Sequence, residues 1–408
     1  MRKLYNIDTF DLLICLSEIT DWISPELNNH HIQVAMMSVL LAKALKLDEE
    51  EINDVACAAI LHDIGAISLS ERIKLVKLEE EHPQSHAELG YKLLKMFKPL
   101  ERSALAVKYH HTPYSELENK EIPISGGILN ITDRVAALID KNKEILGQAE
   151  HIRNEIAKLS GKDFFPELVE CFCIESKKPS FWLDATSQYS HKQLKKNTYF
   201  KQSSMNNDEL MSLAQFISRI IDFRSRFTST HSSGVSAVAE FIGKLANMSD
   251  SECFELKIAG FFHDLGKLAV SNEILEKPGK LSAEEFNIMK SHTYYTYRAL
   301  EAFEDLSEIN KTASYHHEHL DGKGYPFGIN ANHLSKSARI MAVADVFTAL
   351  TEDRPYREGI KNPMPILNDM ACNKLDSNIV KLVRDNFDSV NETRKKAQEE
   401  ASKLYMNF

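Results

Sequence analysis

The sequence predicts an all-α protein of two helical domains in tandem, and three observations carry that reading. Apolar side chains recur at three- and four-residue steps over 31–46, 233–246 and 336–350, the period of a helix with one buried face. Period-two alternation bounded by turn residues is scarce, which removes the main signal for strands. A set of histidines and aspartates occurs twice in the same order, once in each half of the chain.

Length and composition bound the rest. The 408 residues leave room for two or three cores of ordinary size, and 43% hydrophobic with 26% charged residues is the balance of a globular chain. A formal charge of -10 weighs against a binder of duplex nucleic acid, which needs a basic excess to neutralise phosphates. A small anionic ligand in a locally positive pocket is compatible with it. Cys15, Cys57, Cys171, Cys173, Cys253 and Cys372 show neither disulfide-framework nor zinc-knuckle spacing and read as reduced thiols. The first apolar run is broken by Asp8 and Asp11 and has no small-residue cleavage site, so it is not read as a signal peptide. No eighteen apolar residues are consecutive, so no membrane span or membrane partner is expected, and the protein is placed in the cytoplasm.

Taken in order, helix starts are marked by residues whose side chains accept from free backbone amides. Asp48 precedes EEEINDVACAAILHDIG, Asp250 precedes SECFELKIAGFFHDLG, and Ser282 with Glu285 three residues on forms a capping-box pattern. Gly65 and Gly266 follow the two His-Asp dipeptides at the same offset and are read as the ends of those helices. Residues 151–205 break the pattern, first apolar and aromatic, then basic. They are read as a helical connector with a solvated basic face, Lys195 and Lys196 being its candidate anion contacts. The end of the chain reads as an exposed helix with paired charges and no chemistry. The expected domains are therefore 1–150, a connector over 151–205, a second domain over 206–375 and a helical tail over 376–408.

The duplicated set carries the chemistry. His231 is followed 32 residues on by His263-Asp264, then by His292, then 24 further by the pair His316-His317, and finally by Asp345. In the first half His30 again stands 32 before His62-Asp63, His86 again 24 before His110-His111, and Asp133 closes the set. The two intervals that differ are five or six residues shorter in the first copy, as loop trimming between helices would make them. One His-Asp dipeptide is usually a surface helix residue beside an acid, whereas a repeated five-histidine, two-aspartate set points to two metal sites. Neutral imidazoles and carboxylates without thiolate suit divalent ions such as iron, manganese or zinc. An aspartate can give one oxygen to each of two ions, and a dinuclear centre activates water and holds the oxygens of an in-line phosphoryl displacement.

At residues 316–326, HHEHLDGKGYP, together with HDLGK over 263–267 and DRPYR over 353–357, the chain resembles the HD-GYP family of bacterial cyclic-dinucleotide phosphodiesterases. The likeness covers about 206–375, and residues 25–145 resemble the wider HD superfamily. Tandem chains with FTxxHS, here Phe227 to Ser232, are similar to a group that cleaves cyclic GMP-AMP. The resemblance implies that His231, His263, Asp264 and Asp345 hold one ion and that Asp264 bridges to a second held by His292, His316 and His317. Iron or manganese is the expected metal. It also implies catalytic roles for Asp264 and Lys267, the lysine one turn beyond the dipeptide facing the scissile phosphate. A lysine at a helix end has a plainer use in offsetting the helix dipole.

Gly322, Gly324 and Tyr325 are implied as substrate-binding, although the glycines also suit a plain turn. Tyr325 offers a ring or hydroxyl to ligand or to a signalling partner of that loop. Arg354 and Arg357 are candidate clamps for phosphate or a guanine edge, with surface ion pairing as the plainer reading. Some family members bind a third ion through a glutamate four residues before the first histidine. Phe227 stands there, so two ions are expected and cleavage is expected to favour the linear dinucleotide over mononucleotides.

The first copy keeps every ligand type, His30, His62, Asp63, His86, His110, His111 and Asp133, and so is a further candidate metal site. It has Ala66 in place of Lys267 and no glycine loop, which favours a metal-loaded regulatory domain over an independent phosphohydrolase or a metal-free packing domain. For the whole chain the leading expectation is metal-dependent hydrolysis of cyclic di-GMP or 3′3′-cyclic GMP-AMP. An HD-type nucleotide phosphohydrolase and a non-catalytic, cyclic-dinucleotide-responsive interaction protein are the alternatives.

Overall fold

The computed structural model describes residues 3–22, 29–66, 69–76, 84–116, 122–224, 230–353 and 358–405. The chain divides into two compact units, Asp8–Ser203 and Met1–Ile7 with Ser204–Phe408. Helices dominate both, and the named strands are the short pair β1 (Tyr5–Asp8) and β2 (Gln202–Met205), which form a two-stranded sheet. No described helix is long and apolar enough to cross a membrane.

In the N-terminal unit α1 (Thr9–Asp21) starts at Asp8, whose carboxylate accepts from the amides of Phe10 and Asp11. The central helix is α2 (His30–Ala44), every side chain of which is buried from His30 to Val39. Beyond the polar residues of its first turn it is mostly apolar on every side because it is covered on several sides. Around it pack α3 (Glu49–Ile60) and, beyond α4 (Leu69–Val76), α5 (Gln84–Lys95) and α6 (Glu101–Tyr109), the helix α7 (Ile124–Leu138). Then come α8 (Ala149–Ala157), α9 (Pro166–Glu175), α10 (Pro179–Thr186) and α11 (Ser190–Asn197), of which α9, α10 and α11 also lie on α2. Residues 151–203 thus fold within this unit. Lys195, the candidate anion contact, pairs instead with Asp8 at 3.1 Å and Asp11 at 2.7 Å.

The C-terminal unit repeats the plan. After α12 (Asn207–Arg224), α13 (His231–Leu245) packs against α14 (Asp250–Phe262). A short α15 (Asn272–Leu275) leads to α16 (Ala283–Glu301) and α17 (Ser307–Ser314), and α18 (Lys336–Thr351) closes on α13. The last helices are α19 (Met364–Met370), α20 (Ser377–Asp385) and α21 (Phe387–Tyr405), and α21 lies along α13. Full capping boxes start α3 at Asp48 and α16 at Ser282. For α14 the cap is Ser249, one residue earlier than the sequence suggested, because its hydroxyl takes the Glu252 amide while Asp250 becomes the first helical residue.

Gly65 and Gly266 do not end the α-helices before them, contrary to expectation. α14 stops at Phe262 and Gly266 sits inside a following 3-10 turn, Leu265–Ala269. What requires glycine is close approach. A Cβ at Gly266 would lie 1.8 Å from the His292 carbonyl oxygen of α16, and one at Gly65 2.1 Å from the His86 carbonyl oxygen of α5. Each glycine therefore lets the helix carrying the next histidine press onto the His-Asp turn. Gly266→Ala is expected to destabilise the full chain by about 3 kcal/mol, read as a lowered urea midpoint, because backbone must move to admit the methyl.

Candidate metal centres

Each unit gathers its scattered histidines and aspartates into a buried cage. In the C-terminal unit α13 contributes His231 from its first residue, the end of α14 brings His263-Asp264, α16 brings His292, the chain after α17 brings His316-His317, and α18 brings Asp345. His231, His263, Asp264, His292, His316 and Asp345 are all buried. Ligand atoms of His231, His263 and Asp264 lie within 4.8 Å of one another, and so do those of His292, His316 and His317. Asp264 spans the two groups, with Oδ2 3.2 Å from His263 Nε2 and Oδ1 3.6 Å from His292 Nε2. Asp345 also reaches across, its Oδ1 3.2 Å from His231 Nε2 and its Oδ2 4.0 Å from His317 Nδ1.

Local helix geometry decides which ring nitrogen faces inward. His263, His292 and His316 each donate Nδ1–H to the carbonyl three residues earlier, those of Gly260, Met289 and Ala313, at 2.8, 2.6 and 2.6 Å. A carbonyl only accepts, so the proton is on Nδ1 and the Nε2 lone pair faces the cage. His292 Nε2 and His316 Nε2 consequently point two lone pairs at each other across 3.3 Å, and His263 Nε2 has no hydrogen-bond partner. Facing acceptors in a buried space are held together by positive charge between them. The donor set and its orientation therefore fit divalent cations.

The electrostatics agree. Burial pushes the His292 imidazole down to about 3 and holds His316 well below its ordinary value, so both rings are neutral, the form that can ligate a cation. Burial raises the Asp264 carboxyl, but His263 and Lys267 outweigh it and keep the group well below the usual carboxylate range. Burial likewise lowers His231, but Glu352 and Asp345 outweigh it and raise the imidazole to about 10. The paired carboxylates draw positive charge into the cage, whether a proton or a metal ion.

The N-terminal unit reproduces this arrangement. His30, His62 and Asp63 form one group and Asp63, His86, His110 and His111 the other, each within 4.8 Å. Asp63 spans them, 3.5 Å from His62 and 3.2 Å from His86, and Asp133 lies 3.1 Å from His30. His62 and His110 donate Nδ1–H to the carbonyls of Ala59 and Val107 at 2.8 and 2.5 Å. Burial and the neighbouring His111 and His86 hold His110 well below its ordinary value. His62 Nε2 and Asp63 Oδ1 are buried without hydrogen-bond partners.

Other candidates fall differently. Lys267 Nζ contacts Asp264 Oδ2 at 2.6 Å with its side chain 21% exposed, so it tethers the spanning carboxylate while remaining reachable from solvent. Gly322 takes a left-handed φ of 73°, and a Cβ at Gly324 would lie 2.4 Å from the His319 amide nitrogen and 2.5 Å from the Glu318 Cα, which gives both a backbone role. Tyr325 lies beside the cage, its ring 4.9 Å from that of His317. Phe227, Arg354 and Arg357 lie outside the described residues.

Two glutamates escaped the sequence reading. Buried Glu318 pins the glycine loop by accepting from the amides of Phe327, Gly328 and Ile329. Glu352 accepts Nδ1–H of His231 at 3.0 Å, and Gln398 of α21 donates to the same oxygen at 3.3 Å. The only sequence signal for Glu318 was its place beside His317. Glu352 had none, since its partners are 121 and 46 residues away.

Residues 28–138 and 215–379 match the HD domain family. The chain is 30% identical over 402 residues to 3′3′-cGAMP-specific phosphodiesterase 1 of Vibrio cholerae, covering 93% of this chain and 92% of that protein. It is 34% identical over 232 residues to 3′3′-cGAMP-specific phosphodiesterase 3 of the same organism, covering 56% of this chain and 49% of that protein. A cyclic di-GMP phosphodiesterase of Pseudomonas aeruginosa is 39% identical over 134 residues, which is 33% of this chain and 32% of that one. The crystal structure of a cyclic GMP-AMP specific phosphodiesterase of Vibrio cholerae shares the fold with a TM-score of 0.65 at 21% identity, over 94% of this chain and 98% of that one.

Glu352→Ala is expected to weaken manganese binding by the C-terminal unit about 10- to 100-fold, as loss of a carboxylate behind a ligating histidine does. Glu352→Gln, which keeps an acceptor, should lose less, and manganese titration followed by electron paramagnetic resonance reads both.

Proposed function

The chain belongs to the HD-GYP family of phosphodiesterases, and from that premise we propose that its C-terminal unit hydrolyses 3′3′-cyclic GMP-AMP to the linear dinucleotide with two divalent ions, iron or manganese. The observation that carries the reading is the buried Asp264 carboxylate, one oxygen turned to each imidazole group. The full-length likeness to a cGAMP-specific relative supports the choice of substrate over cyclic di-GMP.

His231, His263, Asp264 and Asp345 would hold one ion, and Asp264, His292, His316 and His317 the other. Bound there, the pair supplies the Lewis acidity that activates a water and shields phosphate oxygens. The chain's own residues do the rest. The Nδ1 hydrogen bonds to helix carbonyls keep the imidazoles aimed inward, so little reorganisation is needed as charge develops. Lys267 holds Asp264 in place and puts an ammonium at the open edge of the cage, where a phosphodiester can meet it. Tyr325 packs on His317 at the same edge and offers a face to a purine. The glycine loop is fastened by Glu318, which fixes where that ring stands. The N-terminal cage reads as a metal-holding regulatory site, because Ala66 leaves it without a lysine beside Asp63.

Manganese-loaded protein incubated with 3′3′-cyclic GMP-AMP and with cyclic di-GMP, products resolved by anion exchange, is expected to yield linear dinucleotide with the mixed substrate preferred. Absence of cleavage of either by fully loaded protein would refute the activity. Asp264→Ala should lose both metal and turnover. Lys267→Ala should retain metal and lose about 100-fold in kcat.

A further inference from the structure

The two cages differ at one buried position that the ligand spacing does not include. Nine residues before the first histidine each unit has an aspartate, Asp21 or Asp222, and directly after that histidine stands His31 in one unit and Ser232 in the other. In the C-terminal unit Asp222 accepts from the hydroxyls of Ser232 at 3.2 Å and Ser218 at 3.3 Å. In the N-terminal unit the aspartate instead meets an imidazole, with His31 Nδ1 2.8 Å from Asp21 Oδ1 and both side chains 5% exposed. The contact lies off the ideal hydrogen-bond direction, but a buried imidazole nitrogen this close to a carboxylate oxygen is the one that favours the ring proton, since the other tautomer would set a lone pair against the oxygen.

With Nδ1 protonated toward Asp21, the His31 Nε2 lone pair is left facing inward. It points at Asp63 Oδ2, 3.9 Å away, and the His31 ring centre is 5.1 Å from that of His62 and 5.5 Å from that of His30. The corresponding oxygen of Asp264 is the one that Lys267 occupies. Where one unit sets an ammonium against this carboxylate oxygen, the other sets a second acceptor, and only a cation reconciles two acceptors in a buried space.

We propose that His31, oriented by Asp21, is an additional ligand of the ion held by His30, His62, Asp63 and Asp133. This rests on the reading of the N-terminal cage as a metal site. Three imidazoles and two carboxylates leave fewer coordination positions for water or substrate than the two and two of the C-terminal first site. Sites closed by protein donors hold metal, whereas catalytic ones keep a position open. The extra nitrogen also shifts preference from manganese toward ions later in the divalent series, such as iron or zinc.

The test uses the full-length chain carrying His263→Ala, Asp264→Ala, His292→Ala and His316→Ala, which disables both groups of the C-terminal cage so that tight binding reports the N-terminal one, titrated with zinc against a chromophoric chelator. His31→Ser, which installs the residue of the other unit, is expected to weaken zinc binding at least about 10-fold, with helicity by circular dichroism unchanged. Asp21→Asn, which keeps the ring, should weaken it by a smaller factor and covers the case in which His31→Ser fails to fold. His30→Ala is the reference for loss of an accepted ligand. Zinc bound tightly by the parent, weakened by His30→Ala and unchanged by His31→Ser and Asp21→Asn, would overturn the role of His31 alone. A parent that binds no zinc would overturn the metal reading of this cage and the proposal with it.

Discussion

Each unit is organised around one buried aspartate that faces two groups of imidazoles at once. A carboxylate taken out of water at 4% or less exposure, as Asp63 and Asp264 are, needs compensating positive charge, and hydrogen bonds from neutral rings supply too little. The surroundings answer in kind. Helix carbonyls take the Nδ1 protons, so the rings present lone pairs to the cage, and further carboxylates arrive from α7 and α18. What results is a space that favours divalent cations on geometric and electrostatic grounds together.

That constraint reaches into the backbone. The spanning aspartate serves the second imidazole group only if α5 or α16 lies against the His-Asp turn, and a side chain at Gly65 or Gly266 would forbid it. The cores follow from this. α2 and α13 start at the cage and run through the middle of their units, so the apolar packing that stabilises each unit also sets the first histidine in place.

The units diverge in what surrounds the cage. The C-terminal one adds an ammonium on its aspartate, an aromatic ring held by a pinned glycine loop, and a glutamate behind His231 tied to the last helix. These are the marks of a site built to meet an anionic, base-bearing ligand. The N-terminal one has Ala66 where the other has Lys267, and a buried His31–Asp21 pair beside its first histidine. One duplicated framework thus carries two sites with different surroundings, and α21, which looked from its charges like a solvated tail, takes part in one of them through Gln398.

The sequence by itself determined the helical class, the existence of two cages and their histidine and aspartate members, because ligand types at repeated intervals survive loop trimming and because helical burial leaves a 3.6-residue period. It placed Asp48 and Ser282 as caps, since capping is local in the chain. Only the tertiary structure decided that Gly65 and Gly266 serve helix approach, that Ser249 caps α14, that Glu352 and Glu318 support the C-terminal site, and that His31 turns toward Asp63. Those facts depend on which surfaces meet. Contacts between residues dozens to more than a hundred positions apart are set by packing and low local dielectric, and neither leaves a periodic trace in the chain.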